Sequence, residues 1–596
     1  MRLRPLISLL ALAGSLWSTA VLAEPRARVD GDLPEDLRER IVAAIGEVED
    51  PPANRFQARR RARDAANSAL AVLRSEGYYA AVIEDEIEGE TPPVAVIAVT
   101  TGERFAVSAP EVEWIAPEPD PTTMTRAEAV LGLQSGQPGR AADVIAAEGR
   151  VVARLAELGF PDATAGQRRV VVDHATNSLQ PTFRIVAGPA VRLDGVLLLT
   201  EGRTNRAWVE HLAPWEPGDR YTPEAVAELE RRLLETAVYD SVSIALAPIE
   251  ENTAEGLRPV VVSLADQPRR LLEAGAGFST SEGAGVDALW TWRNRFGRAD
   301  TLTFDFRLAE INSRIGLGLS LPHWRRPGRS LVMGAYALDE DTRAYDRRVG
   351  GARAEIRQRF GATSFLSGGL AIEAGSYGEL DINDLTVPLT PIERNLVIVT
   401  LGANAFIDFS DDPLDPSSGW RLSVDVQPTA VTGDGSFMFV RATTQGSVYV
   451  PIDAAGQTVV AGRIRLGTIS GASGNDLPSD RRFYSGGGGS VRGFDYQGVG
   501  PQFDDGTPVG GSSLFETSLE VRRRQVWRDL GVAAFVDAGS IGTGTMPDFA
   551  DFRISVGAGI RYDLPFGPIR ADIAIPIDRR DSDPQFQIYI SIGQAF

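Results

Sequence analysis

The segment QFQIYISIGQAF, Gln585–Phe596, alternates apolar and polar residues. Its large apolar side chains lie at even-numbered positions and share one face of an extended strand, namely Phe586, Ile588, Ile590, Ile592 and Phe596. The segment LFETSLEVRR, Leu514–Arg523, shows the same period of two. Because successive side chains of a β-strand point to opposite faces, both segments predict strands with one apolar and one polar face.

Segments of this kind fill residues 269–596 and are separated by Gly, Pro, Asp and Ser. About sixteen of them can be counted, and single-chain transmembrane barrels need an even number. Soluble sheets also alternate, but one that continues for so long without a helix is unusual. We therefore predict a 16-stranded antiparallel transmembrane barrel over 269–596. Aromatic residues in the strands are expected to form its interfacial girdles, namely Trp290, Trp292, Trp420, Tyr449 and Tyr589.

Residues 24–268 have a different pattern, in which helical and strand-like segments alternate. A helix, a stop at small residues and a hairpin recur with a period of about 80 residues, which indicates a repeat array. We expect three α+β modules with bounds 24–102, 103–189 and 190–268. The first boundary is indistinct near Val29, so a two-module organisation stays open.

The first 23 residues have the pattern of an export signal. Arg2 and Arg4 precede an apolar run, and Val21-Leu22-Ala23 offers a small-residue cleavage site. We predict a signal peptide over 1–23, with an uncleaved N-terminal anchor as the alternative. No later run of about 18 apolar residues predicts a transmembrane helix.

The composition excludes several kinds of chemistry. The 596 residues include no Cys and three His, and the formal net charge is −20. A disulfide scaffold and a thiolate metal site are thereby excluded, and a nucleic-acid partner is not expected. A barrel hydrolase would need a Ser–His pair, yet only His323 lies in the barrel region and no Ser motif accompanies it. We expect no enzyme activity, no cofactor and no metal site.

The longest predicted loop, residues 471–512, carries the most distinctive motif. A glycine run at 486–489 is followed by Val491-Arg492-Gly493-Phe494. A guanidinium folded back into a barrel would need carboxylates to offset its desolvation. Glu516 and Glu520 on the neighbouring strand, and Asp537 in the segment FVDAG, are the candidates. The alternative is a surface loop whose Arg492 is solvated.

Glycines mark the strands that would close the barrel. The first strand contains Gly275 and Gly277, and the last contains Gly593 and ends at Phe596. Because glycine weakens a strand, these residues predict a weak seam where the two strands meet. An incoming strand could pair with an opened seam. The alternative is that the glycines only make room for neighbouring side chains.

The repeated module resembles the POTRA domain, whose elements follow the order β-α-α-β-β. The resemblance rests on Gly188-Pro189, on the segment GDRYTPE at 218–224 and on residues 233–242. It implies a sheet edge that can accept an extended peptide.

Val491-Arg492-Gly493-Phe494 and the segment FVDAG at 535–539 resemble the signature motifs of the outer-membrane assembly factors, the superfamily that includes BamA, TamA and the two-partner secretion transporters. The resemblance implies that Arg492 pairs with Asp537, and more weakly with Glu520. Phe596 at the end of an alternating strand resembles the recognition signal of barrel proteins that such machinery inserts.

Three modules and sixteen strands resemble the TamA-like branch of this superfamily. The resemblance implies an outer-membrane protein with periplasmic modules that helps insert barrels such as autotransporters. It implies three kinds of partner: a TamB-like inner-membrane-anchored periplasmic protein, unfolded barrel substrates and outer-membrane lipids. A passive porin and a two-partner secretion transporter remain the alternatives.

Overall fold

The fold is taken from a computed structural model. It describes residues 24–596 except 49, 280–282, 310, 343, 362, 381–390, 473, 550, 565–567, 593 and 595. The signal peptide predicted at 1–23 lies outside the described residues, as does Gly593 of the predicted seam. The chain divides into two compact units, one holding most residues up to Gly195 and the other holding the large sheet together with most of the elements just before it.

Three groups of elements precede the large sheet, and each contains strands and two helices; the third has the order β-α-α-β-β, and the first two have additional short strands. The first group consists of β1 Glu24–Pro25, β2 Arg28–Asp30, α1 Glu35–Ile45, β3 Glu47–Val48, α2 Arg55–Ser75, β4 Val82–Glu88 and β5 Val94–Thr100. The second consists of β6 Ala106–Val107, β7 Glu111–Ile115, α3 Pro121–Glu128, α4 Ala141–Glu157, β8 Thr164–Ala165, β9 Arg169–Asp173 and β10 Ser178–Val186. The third consists of β11 Leu193–Thr200, α5 Arg206–Leu212, α6 Pro223–Leu234, β12 Tyr239–Leu246 and β13 Arg258–Asp266.

The first group shows how sequence produces these modules. Asn54 accepts a hydrogen bond from the Gln57 backbone N–H and so begins α2, as an N-cap residue does. Alanines spaced along α2 allow close packing against α1 and the sheet, in which the strand order is β2-β5-β4. Ile41, Leu73 and Ile97 are fully buried in the core between them.

Sixteen strands follow in one antiparallel sheet, which confirms the predicted strand number. Their bounds are β14 Arg270–Ser279, β15 Gly283–Arg293, β16 Thr301–Ala309, β17 Asn312–Leu321, β18 Arg329–Asp341, β19 Tyr345–Phe360, β20 Ser364–Leu380, β21 Pro391–Asp408, β22 Gly419–Gly433, β23 Phe437–Pro451, β24 Thr458–Ser470, β25 Ser513–Trp527, β26 Leu530–Gly542, β27 Arg553–Tyr562, β28 Ile569–Pro576 and β29 Gln587–Ile592. Each strand pairs with the next in chain order.

The two faces of this sheet differ in chemistry. One face exposes aliphatic and aromatic side chains, for example Leu272, Leu317, Leu401, Leu519 and Ile590. The other, called the inner face here, carries buried charged residues and contacts the long loop. This division is the one expected of a sheet with lipid on one side and polar groups on the other. In the described part of the chain, no helix is both long and apolar enough to cross a membrane.

The end of the chain departs from the prediction. The last strand was predicted to continue to Phe596, but β29 ends at Ile592. Phe596 instead packs on the inner face against Tyr449, with the guanidinium of Arg522 at 5.3 Å from its ring centroid. Phe596 therefore does not share the outer face with Ile588 and Ile590. Aromatic packing and cation–π attraction compensate for leaving the strand.

Candidate functional site: the long loop on the inner face

The predicted long loop lies between the eleventh strand, β24, and the twelfth, β25. Rather than extending into solvent, it returns along the inner face of the sheet, where much of it is buried. Arg492 is 2% exposed in spite of its charge. The surface-loop alternative, in which Arg492 is solvated, is therefore wrong.

Arg492 bonds to both of the carboxylates named from the sequence. Its Nε donates to Asp537 Oδ2 at 2.7 Å, and its Nη2 donates to Asp537 Oδ1 at 3.0 Å. This bidentate pairing matches the planar fork of the guanidinium. Its Nη1 donates to Glu520 Oε2 at 2.9 Å. The ring of Phe535 lies against the guanidinium, 3.3 Å from centroid to Cζ.

Sequence reasoning missed a third acid, Asp572 on β28. Arg492 Nη1 also donates to Asp572 Oδ2 at 3.0 Å, and Arg561 Nη1 donates to Asp572 Oδ1 at 2.5 Å. We call Arg492, Asp537, Glu520 and Asp572 the Arg492 cluster. Asp572 occupies an inward position of the alternating segment IRADIAIP. Alternation along this segment therefore indicates that its side chain points to the inner face of the sheet. Its proximity to Arg492 could not be predicted from the sequence, because that proximity depends on the curvature of the sheet.

The residues beside Arg492 allow the loop to pack closely against the inner face of the sheet. Val491 and Phe494 are fully buried and pack with Val499. Gly493 has φ +96°, and a Cβ there would lie 2.9 Å from the Ser555 Cβ. Both the left-handed backbone and the close contact require glycine. The four residues of the signature motif thus act together as the buried tip of the loop.

A second set of bonds holds the residues just before the motif. Ser485 donates to Glu516 Oε1 at 2.8 Å, and the Ser490 hydroxyl bonds to the same oxygen. Arg463 on β24 donates to the Ser490 carbonyl at 2.7 Å. Glu516 was a candidate from the sequence, and the structure assigns it to the serines of the loop rather than to Arg492. Arg463 was not anticipated.

The loop tip also bonds directly to the last strand. The Gly493 backbone N–H donates to Tyr589 Oη at 3.0 Å, and Tyr589 Oη donates to the Phe494 carbonyl at 3.2 Å. Gln587 Nε2 donates to Asp495 Oδ1 at 2.5 Å. Tyr589 therefore faces inward and does not belong to an interfacial girdle, and the same holds for the buried Tyr449. The hydroxyl of Tyr589 explains its position, because it satisfies buried backbone groups.

The first part of the loop is anchored to a different part of the sheet. Asp480 accepts from Arg347 Nη1 at 2.7 Å, and Arg481 Nη2 donates to Glu373 Oε1 at 2.8 Å. Tyr336 and Tyr377 each donate to Glu373 at 2.6 Å. We call these residues the Glu373 cluster; its wall residues lie on β18, β19 and β20. The loop is thus held at two separate places on the inner face.

The structure describes some of the predicted seam residues but not all of them. Gly275 pairs with Asp287 across β14 and β15, and a Cβ on Gly275 would lie 2.8 Å from the Asp287 carboxylate. Gly277 pairs with Gly285. For Gly275 the structure favours the alternative in which glycine makes room for a neighbour. No pairing of β14 with β29 is found among the described residues, to which Gly593 does not belong.

Comparison with known proteins identifies the large sheet. The model of the Omp85 superfamily domain matches residues 294–596, which is just over half of the chain. Two similar curated proteins are outer membrane protein assembly factors BamA. The one from Neorickettsia risticii is 23% identical over 422 residues, covering 67% of this chain and 54% of the relative. The one from Nitratidesulfovibrio vulgaris is 24% identical over 394 residues, covering 64% and 48%. The chain spans about half the length of these curated relatives.

Among solved structures, BamA from Haemophilus ducreyi lacking POTRA domains 1–3 superposes with a TM-score of 0.68 at 18% identity. The alignment covers 81% of this chain and 99% of that one, which supports a common fold of modules followed by a barrel. Together with the family match, it confirms the predicted fold class and the predicted location in the outer membrane. The chain is an outer-membrane protein and belongs to the Omp85 superfamily.

Proposed function

We propose that this protein, a TamA-like member of its superfamily, is an assembly factor that helps insert β-barrel proteins, autotransporters among them, into the outer membrane. The observation that carries the proposal is the hydrogen bonding of the loop tip to Tyr589 of β29. A passive pore has no need for a buried loop that holds its final strand. A protein that must open and close beside that strand needs such a loop.

The proposed working element is the seam between β14 and β29. The described part of β29 has six residues, whereas β20 and β21 have 17 and 18. A shorter ladder contains fewer hydrogen bonds and separates more easily. Unpaired backbone groups in hydrocarbon cost several kcal/mol each, so an opened seam would favour pairing with an incoming strand. The chemistry is templated hydrogen bonding, with no covalent step.

The modules are proposed to bind extended polypeptides before insertion. β9 pairs with β10 on one side, and no partner on its other side is found among the described residues. Val170 and Val171 on β9 are exposed, at 37% and 44%. Such an edge can add a strand from another chain. Unfolded barrel substrates and a TamB-like periplasmic protein are the proposed partners.

The test uses the absence of cysteine from the chain. Cysteine pairs are introduced around Gly277 and Gly593, oxidised in the outer membrane, and assayed for insertion of a model autotransporter. A disulfide forms only between suitably close strands, so its formation also tests barrel closure. We expect locking to stop insertion and a reductant to restore it.

The matched control is a cysteine pair across two neighbouring strands far from the seam, such as Gly334 and Arg353, which oppose each other on β18 and β19. Oxidation of this pair should leave insertion unchanged. Normal insertion by seam-locked protein would contradict the proposal.

A further inference from the structure

One face of helix α2 concentrates positive charge. Arg55, Arg59, Arg60 and Arg63 are exposed, and their spacing places them on one side of the helix. Residues 55–64 contain five arginines and one acid, Asp64, in a chain whose net charge is −20. We call the four exposed arginines together with Phe56 the basic face.

The module does not use this face for its own stability. The opposite side of α2 packs into the core through alanines and Leu73. Arg60 lies 3.9 Å from Asp64, a weak exposed pair. Arg55, Arg59 and Arg63 make no ion pair with any residue that the structure describes. Three full positive charges are therefore left without a protein partner in the described chain.

Phe56 lies within the same face and is 80% exposed. Leaving so large an apolar side chain in water forfeits the transfer free energy that burial would provide. At a membrane interface an aromatic ring can enter the headgroup region while neighbouring guanidinium groups attract anionic lipid, so Phe56 and the surrounding arginines have the chemistry for such a contact.

We propose that the basic face of α2 docks on an anionic phospholipid surface. Charge complementarity selects an anionic partner, and Phe56 selects a lipid surface over a soluble acidic protein. Each arginine near an anionic membrane contributes about fivefold to partitioning. Such docking would hold the first module against a membrane, independently of the proposed seam.

The experiment uses the full chain embedded in nanodiscs of phosphatidylcholine. Vesicles of phosphatidylcholine, with or without phosphatidylglycerol, are added, and bound protein is measured by flotation. We expect binding only to the anionic vesicles, with a decrease at high salt because counterions screen the attraction. Replacing Arg59→Glu and Arg60→Glu together should lower the partition coefficient at least about 25-fold.

The matched control is Arg126→Glu with Arg169→Glu, which changes the net charge equally on exposed residues outside the basic face. It should bind as the wild type does. Phe56→Ser should weaken binding about tenfold, whereas Ile145→Ser, at an exposed apolar position on α4, should not. Thermal unfolding checks that each variant is folded.

Three results would overturn the proposal. One is equal binding of the wild type to neutral and anionic vesicles. Another is an equal loss in the two arginine double variants, which would indicate an effect of net charge alone. The third is retention on immobilised polyglutamate without binding to anionic vesicles, which would assign the basic face to an acidic protein.

Discussion

Arg492 is surrounded by three carboxylates from three strands, β25, β26 and β28. Each of these acids is at most 1% exposed, so none can be rehydrated while the loop is seated. Removing one partner of a buried ion pair costs about 3–5 kcal/mol because the other charge stays buried. The Arg492 cluster is therefore expected to decide whether the loop tip stays in place.

Reversing the charges of the pair tests this contact. Arg492→Asp places a fourth carboxylate beside three buried acids, so we expect the loop tip to leave the wall and assembly activity to fall. Adding Asp537→Arg should partly restore both, because an arginine then faces an acid again. Activity and hydrogen exchange of residues 491–495 are the measurements. A well-folded double variant without any recovery would argue against direct pairing.

Gly493 provides a second test of the buried loop tip. Gly493→Ala introduces a Cβ 2.9 Å from the Ser555 Cβ at a residue with φ +96°. We expect faster hydrogen exchange at the loop tip and reduced insertion of substrate. Gly489→Ala is the control, because nothing lies within 4 Å of its Cβ and no positive φ is involved. Equal behaviour of the two variants would show that the close approach of Gly493 has no consequence.

The buried tip could be anticipated from the sequence only in part. The motif and the FVDAG segment identified Arg492 and Asp537, and alternation along β25 gave the inward face of Glu520. Asp572 and Tyr589 belong to strands that are distant in sequence from the loop. Their contacts depend on the curvature of the sheet, which alternation does not reveal.

At the scale of elements, β29 is held from the inside by the loop. Tyr589→Phe removes the hydroxyl that bonds the Gly493 N–H and the Phe494 carbonyl. Losing these bonds leaves buried groups unsatisfied, at about 1–3 kcal/mol. We expect hydrogen exchange of β29 amides to become about tenfold faster or more. Tyr562→Phe, at a half-exposed residue at the end of β27, should leave this exchange unchanged.

No change of β29 exchange in Tyr589→Phe would mean that the loop does not restrain this strand. Through this contact the loop tip and the closing strand restrain each other. The side chain only transmits that restraint.

The turn between β17 and β18 has a pH-dependent contact. The Gly328 N–H donates to His323 Nδ1 at 3.0 Å, so Nδ1 carries no proton and Nε2 donates to the Arg232 carbonyl at 2.8 Å. Burial lowers the pKa of His323 below its ordinary value, and Glu235, Arg232 and Arg359 are the nearby charged side chains.

Because the unfolded pKa is higher, the folded state binds fewer protons than the unfolded state below about pH 6.5. Stability from this contact is complete above that pH and is lost as pH falls towards the lowered pKa of the folded state. We expect faster exchange of residues 223–234 at pH 5 than at pH 7, after correction for intrinsic rates. His323→Gln, which cannot titrate, should remove the difference, and its persistence would contradict this assignment.

Helices α3 and α5 could not be located from the periodicity of the sequence. The helix that recurs once in each predicted module corresponds to α2, α4 and α6, and alternation predicted about sixteen strands. Helices α3 and α5 have only 8 and 7 residues, too few for a clear helical period. The capping residue Asp120 followed by Pro121 was the available signal for α3, since such a pair commonly begins a helix.

For the molecule as a whole, the two anchors of the long loop are the main feature. The Glu373 cluster fixes its start to β18–β20, and the Arg492 cluster fixes its tip to β25–β28. Releasing the tip alone would free β29 while the loop stayed attached at its start. Under the proposed function, we expect this arrangement to permit reversible opening at the last strand while the rest of the sheet stays folded.

The most direct measurement of strand pairing at the proposed seam is a crosslink between this protein and a substrate during insertion. Ala274→Cys places a thiol on the outer face of the first strand, and Ala335→Cys places one on the outer face of β18, a strand with two neighbours. A substrate with a cysteine in its terminal strand is added, and the sample is oxidised before insertion is complete. Paired strands bring such thiols within disulfide distance. We expect a mixed disulfide with Ala274→Cys and none with Ala335→Cys. Complete insertion with equal or no crosslinking at both positions would contradict pairing of the substrate with the first strand.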